Sequence, residues 1–365
     1  MQTRKIAIWN TAFLGDAILT LPLIQSLRLA CPEARLHFYI RRGLADLFRE
    51  HPALDEVHEY DKEPAASGWR GLAAIARFGR ELEAEKYDLW ISCHQSLRSA
   101  YLARASGALR RIGYKSSWFS GLCYTRCVDR RFSSLDEIER LLRLLEPLGV
   151  QTPSTWPDIC LPEAARLKAG NILALAGTQT RRPLLGLHPG SVWATKRWPE
   201  EYFARIGALA IRKGAVVALF AGPGEERMAL RTEALMRKEL PQEGGYDAAI
   251  LNLGGSLSLS ELAACIRRLD CYVSNDSGPM HLAWAQHVPL VAIFGPTVRA
   301  LGFAPRGESS VVLEQEDLPC RPCGLHGPAE CKFEHHRCMR DLGPDKVWPQ
   351  VEKYLFGGGR ETGRP

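Results

Sequence analysis

Short apolar runs alternate along the chain with longer stretches whose apolar positions recur every three or four residues. KIAIWN (5–10), ARLHFYI (34–40) and YDLWISC (87–93) predict buried strands, and AILTLPLIQSLRLA (17–30) predicts the helix between the first two. Strand–helix–strand order of this kind predicts a parallel sheet covered by helices on both faces. The pattern breaks after residue 150 into QTPSTWPDICLP, a helical stretch and then TQTRRP, so the proline-rich and polar edges predict a joint between two domains. It restarts with LLGLHPG (184–190), a helix over 200–214, AVVALFAG (215–222), ILNLGG (250–255), a helix over 257–269, CYVSND (271–276) and PLVAIFG (289–295). The predicted fold is α/β with two Rossmann-like domains and a ligand cleft between them. The domains span 1–165 and 184–341, joined by a linker over 166–183. A last helix over 342–356 is expected to pack back toward the N-terminal domain, and the tail GGGRETGRP (357–365) to be disordered.

Composition narrows the classes. The chain of 365 residues is 46% hydrophobic and 24% charged, as soluble globular proteins are. Its apolar runs fall short of the ~20 residues a membrane span needs, and MQTRKIAIWNTAFLGD reads as a first strand rather than a leader peptide. The net charge of +6 suits an anionic ligand or surface but comes without a basic nucleic-acid motif. Eleven cysteines, an odd number scattered in apolar contexts, read as reduced thiols of a cytoplasmic protein.

The candidate chemistry falls at strand ends. The loop after LLGLHPG offers the hydroxyls of Ser191 and Thr195, the backbone at Gly190 and the ammonium of Lys196, a clamp for a diphosphate; Lys196 read as a solvated loop charge is the plainer alternative. AGPGEER places Gly222, Glu225 and Glu226 at a helix start, where either acid suits ribose hydroxyls; the spacing does not choose between them, and the third glycine of a dinucleotide fingerprint is replaced by Arg227. In SNDSGPMH, Ser277 and Gly278 open a helix whose free N–H groups favour an anion, His281 follows on that helix, and Asp276 reads either as its N-cap or as a sugar-binding acid. Asp16 in LGDAILTLP repeats the arrangement in the first domain, again as a cap or as a base. CRPCGLHGPAECKFEHHRC carries Cys320, Cys323, Cys331 and Cys338, which suit a tetrahedral structural Zn²⁺ or iron as well as metal-free thiols.

Taken together, LGDAILTLP, HPGSVWATKRWP and SNDSGPMHLAWAQHVPLVAIFGPT resemble the ADP-heptose:lipopolysaccharide heptosyltransferases, in the same order and over nearly the whole chain, with the Cys-rich run most like the second enzyme of the inner core. The resemblance implies a GT-B fold and an inverting transfer of heptose from ADP-heptose to the lipopolysaccharide inner core, with no metal required for catalysis. The acceptor would lie on the N-terminal domain and the nucleotide sugar on the C-terminal one, in an enzyme peripheral to the inner face of the inner membrane. It implies Asp16 as general base, Lys196 at the diphosphate, Asp276 on the donor sugar and one of Glu225 and Glu226 on the ribose. No Asp-x-Asp pair is present to hold a catalytic cation. A phosphorylated glycolipid acceptor gives the arginines Arg126, Arg130 and Arg131 a use as acceptor-binding residues; as solvated surface charges they need none. Two alternatives stand beside this reading: a protein (serine) heptosyltransferase with a Cys-bound iron, and a non-catalytic nucleotide- or metal-binding module.

Overall fold

The computed structural model describes residues 3–61, 69–116, 118–153, 155–175, 182–241 and 245–357. The chain divides into two compact units, Met1–Cys160 and Leu161–Pro365. The expected tail falls almost wholly outside the described residues.

The first unit runs β1 (Lys5–Asn10), α1 (Leu14–Leu19), α2 (Leu21–Ala30), β2 (Arg35–Arg41), β3 (Glu56–Tyr60), α3 (Trp69–Ala84), β4 (Leu89–Ser92), α4 (Leu97–Ala105), β5 (Arg110–Tyr114), α5 (Trp118–Cys123), β6 (Arg126–Val128) and α6 (Glu137–Leu142). Its strands form one parallel sheet in the order β3-β2-β1-β4-β5-β6. Ile6 to Trp9 of the central β1 are fully buried, as a strand covered on both faces must be. The helix expected over 17–30 is two helices. Pro22 has no N–H to give the Ile18 carbonyl, and the Thr20 hydroxyl turns back to donate to Asp16 O at 2.8 Å.

The second unit runs α7 (Glu163–Leu175), β7 (Leu184–His188), α8 (Glu200–Arg212), β8 (Val216–Leu219), α9 (Glu226–Glu239), β9 (Ile250–Asn252), α10 (Leu259–Arg267), β10 (Cys271–Asn275), α11 (Gly278–Ala285), β11 (Leu290–Phe294), β12 (Ser310–Glu314), α12 (Arg337–Arg340) and α13 (Pro344–Phe356). Its sheet is also parallel, in the order β12-β11-β10-β7-β8-β9. Counted from each unit's own first strand, the two orders are the same. Both are Rossmann-like, with strand direction of travel reversing beside the first strand, between β1 and β4 and between β7 and β10.

Two segments belong to the second unit more fully than their sequence suggests. Much of the stretch expected to link the domains is α7, which packs on α10; residues 176–181 lie outside the described residues. The apolar face of α13, Val347, Val351 and Leu355, is buried against α8, β10 and β11 of its own unit.

Candidate functional site

In open parallel sheets, ligands bind beyond the carboxyl ends of the strands where the order reverses. In the second unit that point lies between β7 and β10, and the expected donor-site residues converge there. Asn275 closes β10 and ties the two strand ends together: its Nδ2 donates to Pro189 O at 2.8 Å and to Gly190 O at 3.3 Å, while its Oδ1 accepts the Trp198 N–H at 3.0 Å. This fixes the loop that carries Lys196, whose Nζ donates to Asp276 Oδ2 at 2.6 Å with both side chains buried. Lys196 is therefore a held, paired charge and not a solvated one. Thr297 Oγ1 donates to the same Oδ2 at 2.6 Å, so both described bonds fall on one oxygen of Asp276. The N-cap of α11 is Ser277, not Asp276, so Asp276 is a partner of Lys196 instead of a cap.

Behind this pair lies His281, on the first turn of α11. Burial, with help from the nearby Lys196 charge and against the pull of Asp276, pushes its imidazole down to about 4. Its Nδ1 has no hydrogen-bond partner among the described residues.

The structure separates the two glutamates. Glu225 is partly buried, accepts the Gly222 N–H at 3.1 Å and lies 3.6 Å from His188 Nε2. Burial works to raise its pKa, but His188, the Gly222 N–H and Arg197 together hold it below the ordinary carboxylate value. Gly190 makes room for it, because a Cβ there would stand 2.0 Å from Glu225 Oε2. Glu226 is exposed and accepts the Gly224 N–H at 3.0 Å. Sequence reasoning passed over His188, Asn275 and Thr297. The rule that the last residue of a strand faces the ligand would have found the first two; Thr297, beyond β11, has no comparable signal.

The Cys-rich segment docks on this loop through groups other than its thiols. Thr195 Oγ1 donates to Pro328 O at 2.5 Å, so that hydroxyl is not open to a diphosphate, and His336 Nε2 donates to Thr195 O at 2.7 Å. Ser191 is buried, and its carbonyl accepts Arg197 Nε at 2.7 Å. Arg321 bonds Glu314 Oε2 at 2.6 Å, Thr297 O at 2.8 Å and Gly295 O. A cavity of about 690 Å³ opens beside Thr195, lined by Glu330, Lys332, His336 and Arg340 among others. The expected Zn²⁺ or iron site is not assembled. Cys323 Sγ is turned to Cys320 O at 3.1 Å, and Cys338 is buried in the core of the unit, where burial pushes its thiol up to about 11. Among the described residues these four cysteines contribute to no group of three ligand atoms within 4.8 Å of one another.

In the first unit the corresponding point lies between β1 and β4. Asn10 at the end of β1 donates to Asp16 O at 3.1 Å and to Thr20 Oγ1 at 2.8 Å, pinning the start of α1. Asp16 sits in the first turn of α1, and its Oδ2 accepts the Phe13 N–H at 3.1 Å, so it does serve the helix start. The arginines divide sharply. Arg130 holds Glu137 with both Nη2–O distances below 3 Å (2.7 and 2.8 Å), and Arg140, fully buried, reaches the same carboxylate at 3.1 Å. Burial raises the Glu137 pKa against the pull of Arg130, and the charge of Asp16 adds to the rise. Asp16 thus feels the Arg130–Glu137 pair. Arg130 is committed to Glu137 and is not an open anchor for an acceptor, whereas Arg126 and Arg131 are exposed.

The profile of glycosyltransferase family 9 (heptosyltransferase) matches residues 75–332. The lipooligosaccharide heptosyltransferase 2 of Campylobacter jejuni is 25% identical over 352 residues, covering 96% of this chain and 98% of its own. The crystal structure of a family 9 glycosyltransferase from Veillonella parvula superposes with a TM-score of 0.81 at 25% identity, covering 98% of this chain and 99% of that one. The Escherichia coli ADP-heptose lps heptosyltransferase II shares the fold, with a TM-score of 0.76 at 23% identity over 97% of this chain and 99% of that one. Among the described residues, no helix is long and apolar enough to cross a membrane.

Proposed function

The chain belongs to glycosyltransferase family 9, and from that premise we propose that it moves a heptose from ADP-heptose to the inner core of lipopolysaccharide with inversion at the anomeric carbon. The observation that carries the donor half is the gathering of Lys196, Asp276 and Glu225 around the switch point of the second unit. Lys196 and the open N–H groups of α11 offset the charge that grows on the departing diphosphate. Asp276 keeps Lys196 in place through Oδ2 and offers Oδ1 to a hydroxyl of the donor sugar. Glu225, held ionised, accepts from the ribose hydroxyls; Glu226 is left to the helix start.

In the acceptor half, the Asp16 carboxylate removes the proton from the attacking hydroxyl. The new bond forms from that oxygen to the anomeric carbon while the bond to the β-phosphate oxygen breaks, and its electron pair leaves with ADP. An acid in this role works as a base because the transition state acidifies the hydroxyl. The exposed Trp118 and Leu122 of α5, with Arg126 nearby in the chain, suit an enzyme that meets its glycolipid at an anionic cytoplasmic membrane face. A protein acceptor would draw its support from a Cys-bound iron, and among the described residues the four cysteines form no close group of ligand atoms in favour of it.

Asp16→Asn tests the proposal. Asparagine still accepts the Phe13 N–H, so fold and ADP affinity are expected to stay, while turnover falls by roughly 10²–10⁴. Turnover is read by incubating the protein with ADP-heptose and truncated core acceptors and locating the added sugar by mass spectrometry. Near-normal turnover would leave Asp16 a helix-start residue only, and transfer to a protein serine with no glycolipid product would overturn the acceptor.

A further inference from the structure

A second cluster of ligating side chains lies in the first unit, on the amino-terminal half of its strands and away from the ends that lead to Asp16. Parallel pairing sets His37 of β2 opposite Glu56 of β3 and Tyr39 opposite His58. Alternation along each strand then brings His37, Glu56 and His58 to one face. Their ligand atoms all lie within 4.8 Å of one another. His58 Nε2 is 3.2 Å from Glu56 Oε2, and His37 Nε2 is 3.6 Å from Glu56 Oε1. With metal–ligand bonds near 2.0–2.1 Å, a tetrahedral zinc needs ligand atoms about 3.3 Å apart.

An independent observation points the same way. His37 is 1% exposed, and its Nε2 has no hydrogen-bond partner among the described residues. Such an atom, buried and aimed at a carboxylate beyond hydrogen-bond reach, is costly unless something completes it. The other ring nitrogen is provided for: Nδ1 lies 3.0 Å from Tyr87 Oη, which in turn lies 2.7 Å from Tyr39 Oη. This is the outer partner that fixes the tautomer of a ligating imidazole. The Tyr39 ring stacks on His58 at 4.6 Å and orients it.

We propose that His37 Nε2, His58 Nε2 and the Glu56 carboxylate bind one Zn²⁺ ion that ties the edge strand β3 to β2, with water completing the tetrahedron. Two imidazoles and a carboxylate suit zinc better than the hard cations, which prefer all-oxygen sites. The cations nearby are already engaged. Arg35 holds Glu56 Oε1 at 2.6 Å, leaving Oε2 to the metal, and Lys5 pairs with Glu85 at 2.5 Å. On binding, the 3.1 Å His58–His37 hydrogen bond is exchanged for metal bonds, with the protons on the two Nδ1 atoms.

The test is metal binding by the full purified chain, stripped with chelator and titrated with Zn²⁺, or with Co²⁺ as a spectroscopic stand-in. One equivalent is expected to bind, to raise the thermal midpoint, and with Co²⁺ to give tetrahedral d–d bands without thiolate charge-transfer absorption. Glu56→Gln and His58→Gln, both at partly exposed positions, should each weaken binding at least about 100-fold, and a Cys320→Ser/Cys323→Ser variant should bind as the wild type does. Absence of stoichiometric binding, wild-type affinity in either the Glu56→Gln or the His58→Gln variant, or loss of binding in the Cys320→Ser/Cys323→Ser variant would each overturn the site.

Discussion

Replacing Asp276 with asparagine takes away the negative charge that Lys196 Nζ meets at 2.6 Å, while leaving an amide oxygen for the Thr297 hydroxyl. At the effective dielectric that suits protein charges, the lost attraction is about 6 kcal/mol before any compensation. Relief of the carboxylate's own burial returns part of this, and removing one member of a buried pair costs about 3–5 kcal/mol in practice. The two side chains are 10% and 9% exposed, so some water reaches the stranded ammonium and the lower end of that range, about 3 kcal/mol, is expected. For a unit the size of Leu161–Pro365 this lowers the melting temperature by roughly 6–12 °C. Calorimetry on the wild type, Asp276→Asn, Lys196→Met and the double variant at pH 7 completes a double-mutant cycle. The double variant, with no unpaired charge, is expected to recover most of the loss, giving a coupling of about 2–3 kcal/mol. ADP, whose diphosphate supplies the charge Lys196 then lacks, should stabilise Asp276→Asn more than the wild type. Single substitutions that cost less than about 0.5 kcal/mol and add in the double variant would refute the pair as the element that holds Lys196.

Three further outcomes follow from the same geometry. Gly190→Ala places a Cβ 2.0 Å from Glu225 Oε2, and the flexible carboxylate will swing away sooner than the backbone will move; unfolding should change by under about 1 kcal/mol while the donor KM rises about tenfold, as losing one charged hydrogen bond implies. Arg130→Ala strands the buried Glu137 carboxylate beside Arg140 alone and should cost about 3 kcal/mol by denaturant unfolding, against under about 0.5 kcal/mol for the exposed Arg126→Ala. Because burial holds His281 down at about 4, it is neutral in the fold and takes up a proton on unfolding. The stability it contributes is therefore complete above about pH 6.5 and lost as pH falls through 4, up to about 3 kcal/mol in all, and His281→Gln should flatten that part of the stability–pH curve.

The buried strands were legible because covering a strand on both faces leaves a run of apolar residues, as in KIAIWN and PLVAIFG, and these are β1 and β11 within a residue or two. What escaped were the strands at or near the sheet edges: EVHEY, RRIGY, RCV and SVVLE. A half-exposed strand tolerates charge, so Arg126 reads as an acceptor-binding or solvated surface charge and not as a strand residue. The site was legible as a set of positions, since polar residues at strand ends announce themselves. Their partners were not: that Lys196 answers Asp276 across 80 positions depends on β7 and β10 being neighbours, and that Arg130 answers Glu137 depends on how the chain turns from β6 into α6. The cysteine spacing was a signal that the described contacts do not use. Thiols close in sequence suggested a metal, yet Arg321 and His336 are what fasten that segment.

That fastening sets an order on the making of the protein. Thr195 is joined to Pro328 and His336, 133 and 141 positions further along the chain. A nascent chain emerging amino end first completes the sheet of its first unit well before these partners leave the ribosome. The pocket around Lys196 is finished last. A chain cut short by premature termination between residues 160 and 328 would hold the Asp16 half intact and lack both bonds that brace the Lys196 loop.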